Sequence, residues 1–204
     1  MSDLLPRLEI PEPSQGETLD PKALFDGAVR SVWLEVGFGG GEHTAAQAIL
    51  HPEVGLIGSE VFKNGVASLL SHVERDGTAD RIRIFADDVR RLLPALPDAS
   101  LGRVFVLFPD PWPKGRHSGR RFIGPENLPA LARVMVPGAE LRVASDDPVY
   151  VDWAAEHLEA AAGFERIQVT GDRSQLPEDW PVTRYERKLL AGRPPMFFRY
   201  ARKG

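Results

Sequence analysis

The chain of 204 residues has no cysteine and no long uninterrupted apolar run. Without cysteine it can form no disulfide bond, no thiolate metal site and no cysteine nucleophile. No apolar stretch approaches the roughly 20 residues that a membrane-spanning helix needs. The first 20 residues are polar and acidic, and they lack the basic start and apolar core of a signal peptide. We therefore expect a soluble, cytoplasmic protein with no membrane partner.

Basic residues are outnumbered by acidic ones and are unevenly distributed. The formal net charge of −4 argues against a nucleic-acid partner, because phosphate binding requires lysine and arginine. However, four of the 25 basic residues lie in residues 114–121 and seven in residues 184–204. Two solvated surfaces would explain these segments. The alternative is a localised basic surface on an otherwise acidic protein.

Short apolar runs rich in β-branched and aromatic residues alternate with helical patterns along the chain. Strands are predicted at residues 31–38, 54–61, 81–86, 103–108, 140–144, 164–170 and 196–202, and helices at 42–50, 64–75, 88–93, 125–135 and 148–162. This alternation predicts an α/β fold with a doubly wound, mainly parallel sheet. No helix separates the last two strands, so we expect an antiparallel edge strand at the C-terminus.

The strands and helices are expected to form one domain over residues 26–204. Residues 1–25 lack a clear helical or strand pattern, and we expect a flexible N-terminal arm there. The polar, proline-bearing segment 171–193 is expected to be a long ordered loop.

The first predicted strand runs directly into a glycine-rich turn. Residues 35–41 read Glu-Val-Gly-Phe-Gly-Gly-Gly. Alternating glycines allow a tight turn and let the backbone approach a ligand closely, and dinucleotide-binding loops share this feature. A pyrophosphate would be repelled by Glu35, two residues before Gly37. A carboxylate at that place suits the positively charged sulfonium and amino-acid end of S-adenosylmethionine.

Acidic residues also follow the next two predicted strands. Glu60 can accept hydrogen bonds from both ribose hydroxyls of an adenosine, and Asp87 can accept one from the adenine amino group. Any one of these acids could be a helix cap or a surface residue. Three acids at consecutive strand ends, at the edge where open α/β sheets bind ligands, favour a site for S-adenosylmethionine.

The fourth predicted strand ends in a proline-rich loop. Residues 108–113 read Phe-Pro-Asp-Pro-Trp-Pro, and a basic stretch begins at Lys114. The three prolines stiffen the backbone and hold Asp110 and Trp112 in defined directions. Because this strand end adjoins the expected donor site, Asp110 is predicted to face the methyl group. A proline-rich turn with a capping aspartate is the simpler alternative.

At this loop the sequence resembles the bacterial tRNA (guanine-N7-)-methyltransferases, whose signature is close to F-P-D-P-W-x-K-x-R-H-x-K-R-R. Every fixed position matches except Gly119, where the family usually has lysine, and this puts one phosphate contact in doubt. The resemblance also covers the glycine turn, Ser145-Asp146-x-x-x-Tyr150 and Thr183-Arg184-Tyr185-Glu186. It extends over all but the first 25 or so residues.

The resemblance implies a Rossmann-like class I fold and methyl transfer from S-adenosylmethionine to N7 of a tRNA guanosine, in the variable loop. S-adenosylhomocysteine is then the product. Asp110 is implied as the catalytic acid. The donor site is predicted to comprise Glu35, Gly37, Gly39, Glu60, Asp87 and Asp110. The substrate site is predicted to comprise Lys114, Asp146, Thr183, Arg184, Tyr185 and Glu186. Candidate contacts to the tRNA backbone are Arg116, His117, Arg120 and Arg121.

The chemistry of this transfer places few demands on the protein. Guanine N7 has an unprotonated lone pair at neutral pH, so neither a general base nor a metal is needed, and the five histidines show no metal-ligand spacing. Catalysis is then mostly positioning, and a carboxylate favours the positive charge that the base acquires. We hypothesise that Asp110 orients the base and that Asp146 and Glu186 read it.

The guanosine must be exposed or extruded from a duplex to reach such a site. Trp112 and Tyr185 are candidate stacking residues, although packing roles explain them equally well. No obligate protein partner is expected.

Three other functions are consistent with parts of the pattern. A small-molecule methyltransferase would share the fold, but the basic loop beside the methyl site disfavours it. A nicotinamide-dependent oxidoreductase is disfavoured by Glu35 and by Glu42, which stands where a dinucleotide loop has its last glycine. A non-catalytic RNA-binding module would not need acids at three strand ends.

Overall fold

Seven strands form one sheet in the computed structural model, which describes residues 4–188 and 192–204. The strands are β1 Ser31–Val36, β2 Val54–Ser59, β3 Ile82–Phe85, β4 Leu101–Leu107, β5 Met135–Ser145, β6 Phe164–Thr170 and β7 Met196–Arg202. Their order across the sheet is β3-β2-β1-β4-β5-β7-β6. The first five strands are parallel, and β7 runs antiparallel to both its neighbours. The predicted α/β fold with a mainly parallel sheet is confirmed.

Helices cover both faces of the sheet. They are α1 Leu5–Leu8, α2 Glu42–Leu50, α3 Lys63–Asp76, α4 Leu128–Val134, α5 Pro148–Ala160 and α6 Arg184–Lys188. One apolar layer includes residues of α2 and α3, and the opposite layer includes residues of α4 and α5. The chain therefore reverses its winding direction between β1 and β4. In open α/β sheets, ligands bind at the carboxyl ends of the strands at such a switch point.

Three predicted helices are shorter in the structure, among them the one predicted at 148–162, which ends at Ala160. The segment predicted as a helix at 88–93 forms two 3-10 turns, Val89–Arg91 and Leu93–Ala95, because Pro94 has no backbone N–H to continue a helix. The helix predicted at 125–135 ends at Val134, and β5 begins at the next residue. Among the described residues, no helix is long and apolar enough to cross a membrane.

The antiparallel C-terminal strand is present, but it lies one place in from the edge. β7 is inserted between β5 and β6, which leaves β6 at the edge. The burial patterns explain this order. Phe197, Phe198 and Tyr200 of β7 are each 1 % exposed and cover both faces, whereas most of β6 is exposed or half-buried. A strand buried on both faces occupies an interior place in a sheet.

Residues 4–25, most of the predicted flexible arm, pack against the sheet. Leu8 and Ile10 are 2 % exposed and Phe25 is 7 % exposed. The N–H of Ile10 donates to the carbonyl of Ile84 at 2.7 Å, and this contact covers the otherwise open edge of β3. The expectation of a loose arm is wrong over these residues, because its apolar side chains find partners on the sheet. Residues 1–3 of the arm lie outside the described residues.

The predicted long loop, 171–193, contains short helical elements. A 3-10 turn spans Arg173–Gln175, and α6 spans Arg184–Lys188. Residues 189–191 of this segment lie outside the described residues.

Candidate active site

A cleft of about 360 Å³ opens at the carboxyl ends of β1, β2 and β3. Gly37, Glu60 and Asp87 line it, one from each strand end. Trp112 and Arg120, from the loop after β4, complete its rim. The structure thus brings three of the predicted donor-binding residues together with the proline-rich loop.

The glycine turn between β1 and α2 has the left-handed backbone that its sequence predicts. Gly37, Gly39 and Gly41 have φ angles of +65°, +57° and +79°, a region that side chains with a Cβ rarely adopt. No heavy atom lies within 4 Å of the position that a Cβ would take at Gly37. The turn therefore leaves open space beside its backbone at the cleft, where a ligand can approach closely.

The side chain of Glu60 is held in place by two backbone N–H groups. Its Oε2 accepts from the N–H of Gly39 at 2.8 Å, and its Oε1 accepts from the N–H of Phe62 at 2.9 Å. The residue is 6 % exposed. Because each carboxylate oxygen can accept more than one hydrogen bond, the group retains acceptor capacity toward the cleft. This arrangement suits a pair of ribose hydroxyls.

Asp87 is oriented by its own neighbours. Its Oδ2 accepts from Arg91 Nη1 at 2.6 Å, and its Oδ1 accepts from the N–H of Asp88 at 2.6 Å. The next residue, Asp88, caps the following 3-10 turn through the N–H of Arg90. The capping role weighed for Asp87 thus belongs to Asp88, and Asp87 lines the cleft.

Glu35 lies beside the cleft rather than in its wall. It is 3 % exposed, and its Oε2 accepts from Thr44 Oγ1 at 2.6 Å and lies 2.9 Å from His43 Nδ1. It lines a separate cavity of about 20 Å³ with Gly37 and Tyr185. Gly37 lines both the cleft and this small cavity. A methyl donor could therefore contact Glu35 only through the small cavity. Neither His43 nor Thr44 was predicted to be a hydrogen-bond partner of Glu35.

The proline-rich loop holds two aromatic residues in unusual conformations. Phe108 and Trp112 have φ angles of +52° and +43°, which are uncommon for residues other than glycine and which cluster at functional sites. Asp110, between them, is exposed. Among the described residues none donates a hydrogen bond to its carboxylate, so the alternative of a capping aspartate is not supported.

The predicted contacts to the tRNA backbone separate into exposed and buried residues. Arg116 and Arg120 are exposed in the 3-10 helix Gly115–Arg120, and His117 is half-buried. Lys114, predicted for the substrate site, immediately precedes this helix and is also exposed. The guanidinium of Arg120 lies over the Trp112 ring, 4.7 Å from its centroid.

Arg121 is not part of this exposed surface. It is 6 % exposed, and its Nε and Nη2 donate to the carbonyls of Pro111 and Trp112, both at 2.9 Å. The prediction that Arg121 clamps phosphate is corrected by this burial, because the side chain is covered and donates to two backbone carbonyls of the protein.

Thr183 and Glu186, in the motif of residues 183–186, make contacts that hold α6 in place. Thr183 Oγ1 accepts from the N–H of Glu186 at 3.1 Å and so caps the helix. Arg173 Nη1 lies 2.7 Å from both carboxylate oxygens of Glu186. Arg173 therefore orients the carboxylate of Glu186, as Arg91 does that of Asp87, and the role of Glu186 in reading the base stays a prediction. Arg184, the first residue of the helix, is exposed.

Tyr185 of the same motif packs over the glycine turn. Its ring stacks on Phe108, with centroids 6.3 Å apart and planes inclined by 17°. A Cβ added at Gly39 would lie 3.0 Å from the Tyr185 ring. The side chain is 40 % exposed, so one part of the ring stays accessible beside the loop that carries Asp110.

Comparisons with known proteins identify the family. A family model described as "Putative methyltransferase" matches residues 29–198. The tRNA (guanine-N(7)-)-methyltransferase of Paramagnetospirillum magneticum is 63% identical over 203 residues, which cover 100% of this chain and 85% of that protein. The protein of the same name from Rhodospirillum rubrum is 51% identical over 207 residues, covering 100% and 81%. The chain belongs to the tRNA (guanine-N(7)-)-methyltransferase family.

Solved structures of other methyltransferases share the fold. The 16S rRNA methyltransferase KamB superimposes with a TM-score of 0.64 at 20% identity, covering 87% of this chain and 90% of that one. A 16S rRNA (adenine(1408)-N(1))-methyltransferase mutant from Catenulisporales acidiphilia, with the cosubstrate SAM, gives a TM-score of 0.60 at 17% identity, covering 87% and 88%. At these identities the likeness establishes the Rossmann-like methyltransferase fold and no more.

In this methyltransferase the motif after β5 has both functional and structural members. Asp146 follows β5 at the same edge of the sheet as the cleft and is half-buried. Asp147 caps α5 through the N–H groups of Val149 and Tyr150. Burial raises the pKa of the Tyr150 hydroxyl, which accepts a hydrogen bond from the N–H of Ile123. Tyr150 is therefore a neutral residue that packs in the core. Asp146 remains the candidate for contact with the substrate.

A buried charge cluster that was not predicted anchors the segment leading to α6. Asp179 pairs with Arg142 at 2.8 Å and with Arg103 at 2.6 Å, and Arg142 is 2 % exposed. Burial alone would raise the pKa of Asp179, but the two arginines outweigh it and lower this pKa below its usual value. Charged residues inside the apolar strands β4 and β5 were the signal that could have revealed the cluster. Among the described residues, no group of three or more His, Asp and Glu side chains could hold a metal ion.

Proposed function

We propose that this protein transfers a methyl group from S-adenosylmethionine to N7 of a guanosine in tRNA, and that this guanosine lies in the variable loop. The observation that carries the proposal is a single cleft with two kinds of wall. Glu60 and Asp87 form an acidic interior, and Trp112 and Arg120 form an aromatic and basic rim. An acidic interior suits a cationic methyl donor, and a basic rim suits the phosphates of an RNA. The 63% identity of the whole chain to a tRNA (guanine-N(7)-)-methyltransferase, of which it covers 85%, supports the same assignment.

The residues of the cleft fit the methyl donor. Glu60 is fixed by two backbone N–H groups and keeps lone pairs for the ribose hydroxyls, while Asp87 can accept from the adenine amino group. Gly37 provides open backbone at the cleft, where the rest of the donor can approach closely. When bound, S-adenosylmethionine supplies a methyl group on a positively charged sulfur.

The acceptor base is proposed to reach the rim from the side of the proline-rich loop. Asp110 accepts hydrogen bonds from the N–H groups of guanine, which turns N7 toward the donor and favours the positive charge that the ring acquires. Tyr185 and Trp112 offer aromatic faces on which the extruded base can stack. Asp146 is the second candidate for reading the base. Glu186 is the third candidate, and Arg173 orients its carboxylate.

Incubating the purified protein with radiolabelled S-adenosylmethionine and unmodified tRNA tests the proposal. We expect the label in 7-methylguanosine after digestion, and mapping of the label should place it in the variable loop. Activity of the protein alone would also support action without an obligate partner or an added metal. Label in another nucleoside would overturn the acceptor chemistry, and binding of the donor without any transfer to tRNA would overturn the substrate class.

Neutralising the exposed arginines of the rim should weaken tRNA binding in a salt-dependent way. We expect the double substitution Arg116→Gln and Arg120→Gln to reduce the slope of log K against log salt by about 0.7–0.9 for each phosphate that is no longer neutralised. Filter binding or fluorescence anisotropy at several salt concentrations measures this slope. Arg166→Gln is the matched control, because this exposed arginine lies on β6 at the far edge of the sheet. An unchanged slope in the double variant would refute the phosphate contacts.

Adding a methyl group at Gly65 should displace the glycine turn and Glu60, which line the donor site. A Cβ at this position of α3 would lie 2.4 Å from the carbonyl oxygen of Gly39 and 2.9 Å from Cγ of Glu60. Overpacking of this kind costs about 1–3 kcal/mol, so we expect Gly65→Ala to lower donor affinity by about tenfold. Calorimetric titration with S-adenosylhomocysteine measures the change. Gly27→Ala, with no heavy atom within 4 Å of the new Cβ, is the control. Equal affinity in both variants would contradict the expectation.

A further inference from the structure

Arg121 carries a positive charge in a place where a phosphate has no access to it. The side chain is 6 % exposed, and among the described residues no carboxylate pairs with it. Its guanidinium lies over the ring of Trp153, 4.6 Å from the centroid, and donates to the carbonyls of Pro111 and Trp112. Arginine suits such a place because its planar fork can stack on an aromatic ring and donate to two acceptors at once.

The side chain beneath Arg121 is held by hydrogen bonds. Trp153 lies on α5, and its Nε1 donates to the carbonyl of Ile123. The N–H of Ile123 in turn donates to the hydroxyl of Tyr150, one turn earlier on α5, at 3.3 Å. The chain just after the basic loop is thereby attached to the same helix at two points. Arg121 connects this attached segment to the proline-rich loop.

The prolines of this loop restrict their own φ angles but leave the loop with few backbone N–H groups to hold it against the rest of the protein. Pro109, Pro111 and Pro113 have no backbone N–H, so the loop lacks donors at every second residue. Its carbonyls remain available, and Arg121 binds two consecutive ones, directly after Asp110. Trp112 also has the left-handed backbone at φ +43°, which persists only when its surroundings impose it.

We propose that Arg121 is a positioning residue, which holds the loop so that Asp110 and Trp112 face the methyl donor and the base. Trp153 is its support. This proposal rests on the proposed function, since the role of Asp110 is defined by it. It assigns the neighbouring arginines to different tasks: Arg120, which is exposed, contacts the RNA, and Arg121 acts within the protein.

Arg121→Lys tests this role while keeping the charge. Lysine cannot span two carbonyls and stack on the ring, so we expect kcat at saturating donor and tRNA to fall by about 10- to 100-fold, as a misplacement of about 1 Å can cause. The salt slope of tRNA binding should match the wild type, because Arg121 neutralises no phosphate. Arg166→Gln serves again as the control for both measurements. Trp153→Leu, which leaves Arg121 in place, should give a smaller decrease in kcat. This variant keeps the proposal testable if Arg121→Lys does not fold.

The two proposals fail in distinguishable ways. Absence of 7-methylguanosine with the wild-type protein would overturn the proposed function before any variant is compared. With an active wild type, a reduced salt slope with full kcat in Arg121→Lys would show a phosphate contact and overturn the positioning role. Full kcat in both Arg121→Lys and Trp153→Leu would overturn it as well.

Discussion

We expect Asp110→Asn to lower kcat by about 10²- to 10³-fold, the range found when a group that stabilises transition-state charge is removed. Asp110 is exposed on the loop beside the cleft, and among the described residues none donates a hydrogen bond to its carboxylate. Asparagine keeps the shape of the side chain but loses the negative charge. It also presents an NH₂ group where the N–H groups of guanine need an acceptor. The base is then both less well oriented and less well stabilised as N7 becomes positive.

Single-turnover transfer to unmodified tRNA, with donor in excess, isolates this chemical step. Donor affinity should change much less than kcat, because Glu60 and Asp87 are proposed to bind the adenosine. Asp152→Asn, at an exposed position of α5, is the matched control. Near-normal turnover of Asp110→Asn would exclude a catalytic role for this residue and leave the loop with a role in binding only.

The second large effect is expected on donor binding. Glu60→Gln should lower donor affinity by about 10- to 100-fold, since hydrogen bonds to charged groups contribute about 1.5–3 kcal/mol. The geometry makes this substitution severe. Two backbone N–H groups, of Gly39 and Phe62, require two acceptors, and a glutamine offers one oxygen and one NH₂. One N–H must therefore face another donor, and the glycine turn and the start of α3 lose a shared anchor.

Calorimetry with S-adenosylhomocysteine measures this affinity without involving tRNA. Thermal unfolding of the same variant should show a lower midpoint, since the anchor also holds the fold. The control is Glu156→Gln, at an exposed glutamate of α5. If Glu60→Gln bound the product as tightly as the wild type, Glu60 would be a structural residue and the ribose hydroxyls would be held by another group.

Much of the fold could be predicted because strands and helices differ in the period of their apolar residues. In α3 the buried positions Val66, Leu69, Leu70 and Val73 follow the helical spacing that led to the prediction. The place of β7 could not be predicted in the same way. Its position between β5 and β6 depends on which neighbouring strands bury its two faces, and that is a property of the assembled sheet.

The packing of the N-terminal segment could not be predicted from a local sequence pattern either. Leu8, Ile10 and Phe25 belong to short apolar groups among acids and prolines, too short to predict a packed helix or strand. Their burial depends on an edge strand that lies about 60–75 residues later in the sequence, where Ile84 provides the backbone partner. A local pattern carries no information about such a partner.

The sequence by itself determined the chemistry at the strand ends. Gly37, Glu60 and Asp87 could be assigned to one ligand site because parallel strands must bring their carboxyl ends to the same edge. Only the tertiary structure decided which charged residues are available. Arg120 and Arg121 are adjacent and chemically identical, yet one is exposed and the other is buried against two carbonyls. The physical reason is that burial and pairing are set by distant segments such as α5, and the charge of a residue does not reveal them.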